Sequence, residues 1–242
     1  MRNFLALTRR ELGVYFVSPM AYIILTSLLA IAGSVFYTTM SKAAENQLPV
    51  EFAQTLAFIV YIIVLTSPLV TMRLIAEEKN KGTLEIMLTA PISDAAFVLA
   101  KFAAAMVLLA YLLVLTLGYL VIISRYGLVD YGAVVCGYFG VFLVGAVIYS
   151  IGLLVSSLCG SQVTAGVITL AVALLLVMAQ LIGSTLPEGS FWNEVLGYID
   201  IPTNFGDFLR GVIDRTRLVY LTSVVAFFLF LTTRILESRR WR

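Results

Sequence analysis

From Tyr131 to Pro187 the chain carries no aspartate, glutamate, lysine or arginine. That stretch is too long for one bilayer crossing, which takes about 20 apolar residues as a helix. It suits two helices, and the small polar sequence SSLCGSQ, Ser156 to Gln162, supplies a hinge between them.

The rest of the chain reads the same way. Hydrophobic residues make up 61% of it and charged residues 12%, with a mean hydropathy of +1.00. Soluble domains run at about 45 to 50% and 25%. This is the composition of a membrane protein, so the length of 242 residues counts crossings rather than soluble domains. The expected spans are residues 20–40, 52–73, 95–124, 132–157, 162–183 and 217–236, giving an all-α bundle of six transmembrane helices in a single domain, 1–242. The last apolar run, Leu218 to Thr233, is short, so Arg217 and Arg234 at its ends are expected to snorkel to the headgroups.

Six crossings put both termini on one side. That side gathers Arg2, Arg9, Arg10, Arg73, Lys79, Lys81, Lys101, Arg234, Arg239, Arg240 and Arg242, against Lys42, Arg125, Arg210, Arg215 and Arg217 on the other. The positive-inside rule then makes both termini cytoplasmic. Before the first span, Leu5, Thr8, Leu12 and Tyr15 share a helical face, which predicts an interfacial helix over residues 1–18, broken by Ser18 and Pro19. Glu11 and the lack of a small-residue cleavage site disfavour a cleaved leader.

Several chemistries are excluded or disfavoured. The chain contains no histidine, which removes most zinc sites, histidine-based triads and the commonest proton relay. Its two cysteines, Cys136 and Cys159, stand roughly 34 Å apart on a continuous helix, too far for a disulfide. No charge sits at the middle of any span, so neither ion coupling nor intramembrane catalysis has an evident group. Net charge is +2, dispersed in small clusters, and no nucleic-acid footprint is visible. The fourth span holds Gly132, Gly137, Gly140, Gly145, Gly152 and Ser156, a spacing that serves helix packing or the lining of a conduit.

The most informative polar stretch is AEEKNKGTLEIMLTAPIS, Ala76 to Ser93, between the second and third spans. Gly82 interrupts the emerging helix, and Thr83 is a permissible cap for a short new one. On that helix Leu84, Met87, Leu88 and Pro91 make an apolar stripe beside Glu85. It can lie on lipid or in a protein groove. Glu77, Glu78 and Glu85 suit an anionic leaflet poorly and so favour the groove. Between the last two spans, residues 184–216, Asn204 and Asp207 suggest a capping box, and Phe205, Phe208, Leu209 and Val212 form a stripe. With Phe191, Trp192 and Tyr198 nearby, this loop reads as a segment dipping into the outer interface or as a plain aromatic belt.

RLIAEEKNKGTLEIMLTAPISDAAFVLAKF resembles the signature of permeases of the ABC-2 export family. RRELGVYFVSPMAYI and the C-terminal FGDFLRGVIDRTRLVYLTSVVAFFLFLTTRILESRRW are similar to the branch associated with gliding motility and nitrous oxide reductase maturation. Met87 stands where the family pattern has leucine and fills the same apolar role. The resemblance implies a half-transporter in a bacterial inner membrane, with 76–92 as a coupling segment docked in a separate ATPase. Glu77, Glu78, Gly82, Thr83, Leu84 and Glu85 occupy the motif positions, with Leu84 and Leu88 as anchors, Gly82 as the bend, the glutamates as partners for basic groups, and Lys79 within the same interface. It further implies two ATPase chains carrying the ATP and magnesium, a second permease subunit, identical or related, and room for an auxiliary periplasmic protein. The chain itself has no G-x-x-x-x-G-K-[ST] loop, so no cofactor is expected on it. Phe205, Phe208 and Leu209 become candidates for an outer gate in a re-entrant segment. A subunit that anchors or transmits force without moving cargo would use the same coupling helix.

Overall fold

The computed structural model describes residues 2–46, 52–83, 93–125, 129–185 and 190–240. Among these there is no strand. The helices are α1 (Arg2–Val17), α2 (Pro19–Asn46), α3 (Phe52–Thr71), α4 (Ala76–Asn80), α5 (Asp94–Ile123), α6 (Tyr131–Leu158), α7 (Gln162–Gly183), α8 (Phe191–Ile199), α9 (Ile201–Leu209) and α10 (Arg215–Arg240). Six of them, α2, α3, α5, α6, α7 and α10, are long and apolar enough to cross a membrane. The described architecture is therefore an all-helical bundle with six candidate crossings.

α6 is the axis of the bundle. Its most apolar window is 89% buried inside the chain, against 11% for α10, and it packs on α3, α5, α7, α9 and α10. Its glycines make that possible. A Cβ on Gly137 would stand 2.6 Å from Leu56 of α3, on Gly140 2.7 Å from Phe208 of α9, and on Gly152 2.5 Å from the Thr71 hydroxyl of α3, while Gly145 faces Leu109 of α5. Within this chain these four glycines are packing positions, where a missing side chain lets a neighbouring helix approach.

A backbone polar group in a low-dielectric bundle must find a partner. α3 shows how one break is repaired: Pro68 lacks the N–H that would pair with the Val64 carbonyl, and the Ser67 hydroxyl donates to that carbonyl instead, at 2.9 Å. Thr66, Thr116, Ser150 and Thr232 donate to carbonyls three or four residues back in the same manner. These hydroxyls are satisfied locally and say nothing about a polar pathway.

Three expectations shift. α1 packs on α5 through Glu11, against Lys101, and Phe16, against Tyr111; Leu7 is buried too and Tyr15 turns to α3, whereas Leu5 is 65% exposed. The capping box at Asn204 and Asp207 does not form. Asp200 leaves α8 in an extended conformation and its carbonyl accepts from the Asn204 N–H, so α9 begins a turn earlier. Pro202 then falls in the first turn, where its missing N–H costs nothing, and Asn204 lies inside the helix. The last crossing helix extends beyond its apolar run at both ends. Arg217, at the start of this helix, turns toward α9, its Nη1 donating to Asn204 Oδ1 at 2.6 Å and its Nε standing 3.7 Å from Asp207 Oδ2.

Candidate functional site

α3 ends at Thr71, and the chain bends through residues 72–75 into the five-residue α4. So short a helix does not stand alone, and its fastenings come from elsewhere in the bundle. Its N-cap residue, Ile75, has no side chain able to accept a hydrogen bond. Ser156 of α6 takes that role, its Oγ accepting from Ile75 N–H at 3.1 Å and Ala76 N–H at 3.0 Å. At the other end Lys79 Nζ donates to the carbonyls of Leu158 and Cys159, at 3.3 and 2.9 Å, placing a cation at the negative C-terminus of α6. Gly82 follows with φ of +66°, a left-handed conformation that a glycine adopts without penalty.

The centre of the junction is Lys101, two turns into α5 and 1% exposed. Its ammonium lies 2.9 Å from Glu78 Oε1 of α4 and 3.2 Å from Glu11 Oε2 of α1, with the Phe97 ring 5.1 Å away. Arg10 stands 3.6 Å from Glu78 at the rim. One buried lysine thus joins three elements that are far apart in sequence. Burial pushes the Glu78 carboxyl above its ordinary range, and Lys101 beside it pulls in the opposite direction. Tyr15 of α1 adds a further tie, donating to the Val70 carbonyl at 3.0 Å, and burial raises its phenol well above the usual value.

The residues expected to face an ATPase therefore divide. Glu78 and Lys79 are turned inward and fasten α4 to α5 and α6. Glu77 is more open and pairs with the exposed Lys81 at 2.6 Å. The Thr83 hydroxyl donates to the Glu78 carbonyl at 3.3 Å. Leu84, Glu85 and Leu88, with the helix expected to carry them, lie outside the described residues. Glu11, Lys101 and Ser156 were not singled out as site residues from the sequence. Their signals were a lone acid on the packed face of α1, a lysine inside an otherwise apolar run, and the serine of a small-x-x-x-small spacing.

At the other end of the bundle, Phe205 and Phe208 are buried against Gly140. Leu209 is half-buried beside Gly137. These three candidates for an outer gate are thus seated on α6 within the chain, and Arg217 ties their helix to the start of α10.

No curated protein matches the chain. Residues 25–233 match the model of a family described as ABC-2 family transporter protein, from within the first crossing helix to within the last. Such a membrane subunit works with an ABC ATPase and is generally not itself catalytic. With six candidate crossings and a match over most of its length, this chain is a multi-pass membrane protein that belongs to the ABC-2 transporter family.

Proposed function

We propose that the chain is the permease subunit of an ATP-driven exporter, and that its separate ATPase docks on segment 76–92. The observation that carries this reading is the three-way fastening of α4: Ser156 and the α6 carbonyls hold its ends, and the Glu78–Lys101–Glu11 cluster holds its face. A segment fixed to three helices moves them when it is pushed. Glu77 and Lys81, together with Leu84, Glu85 and Leu88, form the proposed ATPase contact, while Glu78 and Lys79 convey the displacement inward. On this reading ATP and magnesium are bound by the partner, two ATPase chains serve two permease subunits, and both termini are cytoplasmic in a bacterial inner membrane. The gliding-motility and nitrous-oxide-reductase branch is proposed on the sequence motifs alone.

Purification of the tagged chain in mild detergent tests the docking. The expected result is a P-loop ATPase co-purifying with the native protein and lost from Leu84→Asp, with the variant's bundle still folded. Retention of the ATPase by Leu84→Asp would reject the docking. In reconstituted vesicles, ATP turnover without movement of any co-purifying species would replace export with a force-transmitting role.

A further inference from the structure

Between α1, the first turns of α2, the end of α3 and α4 lies a cavity of about 320 Å³ with two unlike walls. Val14, Ala21, Ile24 and Leu69 make one wall apolar, and the other is charged. Most of the charges are already matched: Lys81 by Glu77, and Lys101 with Arg10 by Glu78 and Glu11. Arg73 is not. Its Nη1 donates to Ser18 Oγ at 3.1 Å, its Nε is buried without a hydrogen-bond partner, and among the described residues no carboxylate lies within 4.0 Å of it. Four basic side chains against three acidic ones leave the lining with one positive charge in excess.

We propose that this cavity binds the phosphate of an anionic glycerophospholipid, with Arg73 as its principal donor, Ser18 beside it, and the acyl chains leaving past the exposed Val14. The guanidinium fork matches a phosphodiester in geometry, and fixed hydrocarbon next to it distinguishes a lipid from a free anion. The cavity lies where α2 and α3 emerge from their apolar runs, the level at which headgroups meet crossing helices. Its volume is at the lower end of ligand pockets, which run from about 300 to 1,000 Å³, so it takes a headgroup and glycerol rather than a whole lipid. A phosphodiester without an ammonium cancels the excess charge, whereas a zwitterionic headgroup restores it. This inference does not depend on the ATPase docking.

Native mass spectrometry of the delipidated full-length chain tests it, with phosphatidylglycerol, phosphatidylcholine and inorganic phosphate titrated separately. One phosphatidylglycerol per chain is expected, with phosphatidylcholine at least about tenfold weaker. Arg73→Ala should weaken phosphatidylglycerol about tenfold or more, the scale of losing a charge-assisted hydrogen bond. Val14→Glu, at a 53% exposed position on the cavity, should weaken it similarly by adding a carboxylate, and it decides the matter if Arg73→Ala does not fold. Arg125→Ala, at the opposite end of α5, should bind as wild type. Equal binding of the two lipids, or wild-type binding by Val14→Glu, overturns the proposal. So does displacement of the lipid by millimolar phosphate, which would make the site one for a free anion, or its loss when the ATPase assembles, which would make the occupant a protein segment.

Discussion

Lys101 Nζ and Glu78 Oε1 are 2.9 Å apart across 23 residues of sequence, with the lysine side chain 1% exposed. A buried ion pair is weak evidence for net stability, but breaking one by removing a single partner leaves an uncompensated charge. Lys101→Met leaves Glu78 and Glu11 facing each other, and thermal unfolding in detergent should show a loss of about 3 to 5 kcal/mol. The triple variant Lys101→Met, Glu78→Gln, Glu11→Gln removes all three charges and should recover most of it. No recovery in the triple variant would mean that the lysine acts by packing and not by charge.

The cluster also sets a pH dependence. Burial raises the Glu78 carboxyl in the folded chain, so that state binds more protons than the unfolded one between the two pKa values. Its contribution is therefore complete below the unfolded value, near 4.5, and is lost as pH rises through the folded value. Melting temperatures across that window should fall less steeply with pH in Glu78→Gln than in wild type. Parallel profiles would show that another group carries the slope.

Ser156→Ala removes the acceptor for two backbone N–H groups at the start of α4. Leaving buried donors unpaired costs about 1 to 3 kcal/mol each, and the cost falls on a short element. Hydrogen exchange should accelerate at residues 75–81 while α6 stays protected. Unchanged exchange there would show that α4 does not rely on this cap.

Gly152→Ala places a methyl group 2.5 Å from the Thr71 hydroxyl and 2.6 Å from its Cβ, atoms that a rotamer change cannot fully clear. Overpacking of this kind costs about 1 to 3 kcal/mol. Gly13→Ala on α1 meets nothing within 4 Å and should stabilise slightly, by up to about 1 kcal/mol, through helix propensity. Chemical denaturation of the two variants side by side checks the contrast.

The crossing helices were legible because lipid imposes a length and a composition that few other environments demand. Charge-free runs such as Tyr131 to Pro187 carry that signal plainly. The polar junction was legible only in part. The motif between the second and third spans marks Glu77, Glu78, Lys79, Gly82 and Thr83, but sequence spacing does not reveal that Glu78 turns inward to a lysine on the next span. Glu11, Lys101 and Ser156 meet α4 only through tertiary packing, and no periodicity within one helix points to a partner on another. The capping box at Asn204 failed for a related reason. The preceding helix α8 ends at Ile199, and the Asp200 carbonyl offers itself one turn before Asn204.

Work delivered at α4 should reach the far end of the bundle through the fastenings of that helix. Electron-spin distance measurement tests it in the reconstituted permease–ATPase complex, with labels at Asn80→Cys and Val212→Cys, both exposed, and with Cys136 and Cys159 replaced by serine. In the wild-type background the distance should change on ATP binding. In the neutral triple variant at Glu11, Glu78 and Lys101 that change should be lost or sharply reduced, although the ATPase remains bound and hydrolyses ATP. An undiminished change in the triple variant would show that the Glu11–Lys101–Glu78 cluster does not carry the motion.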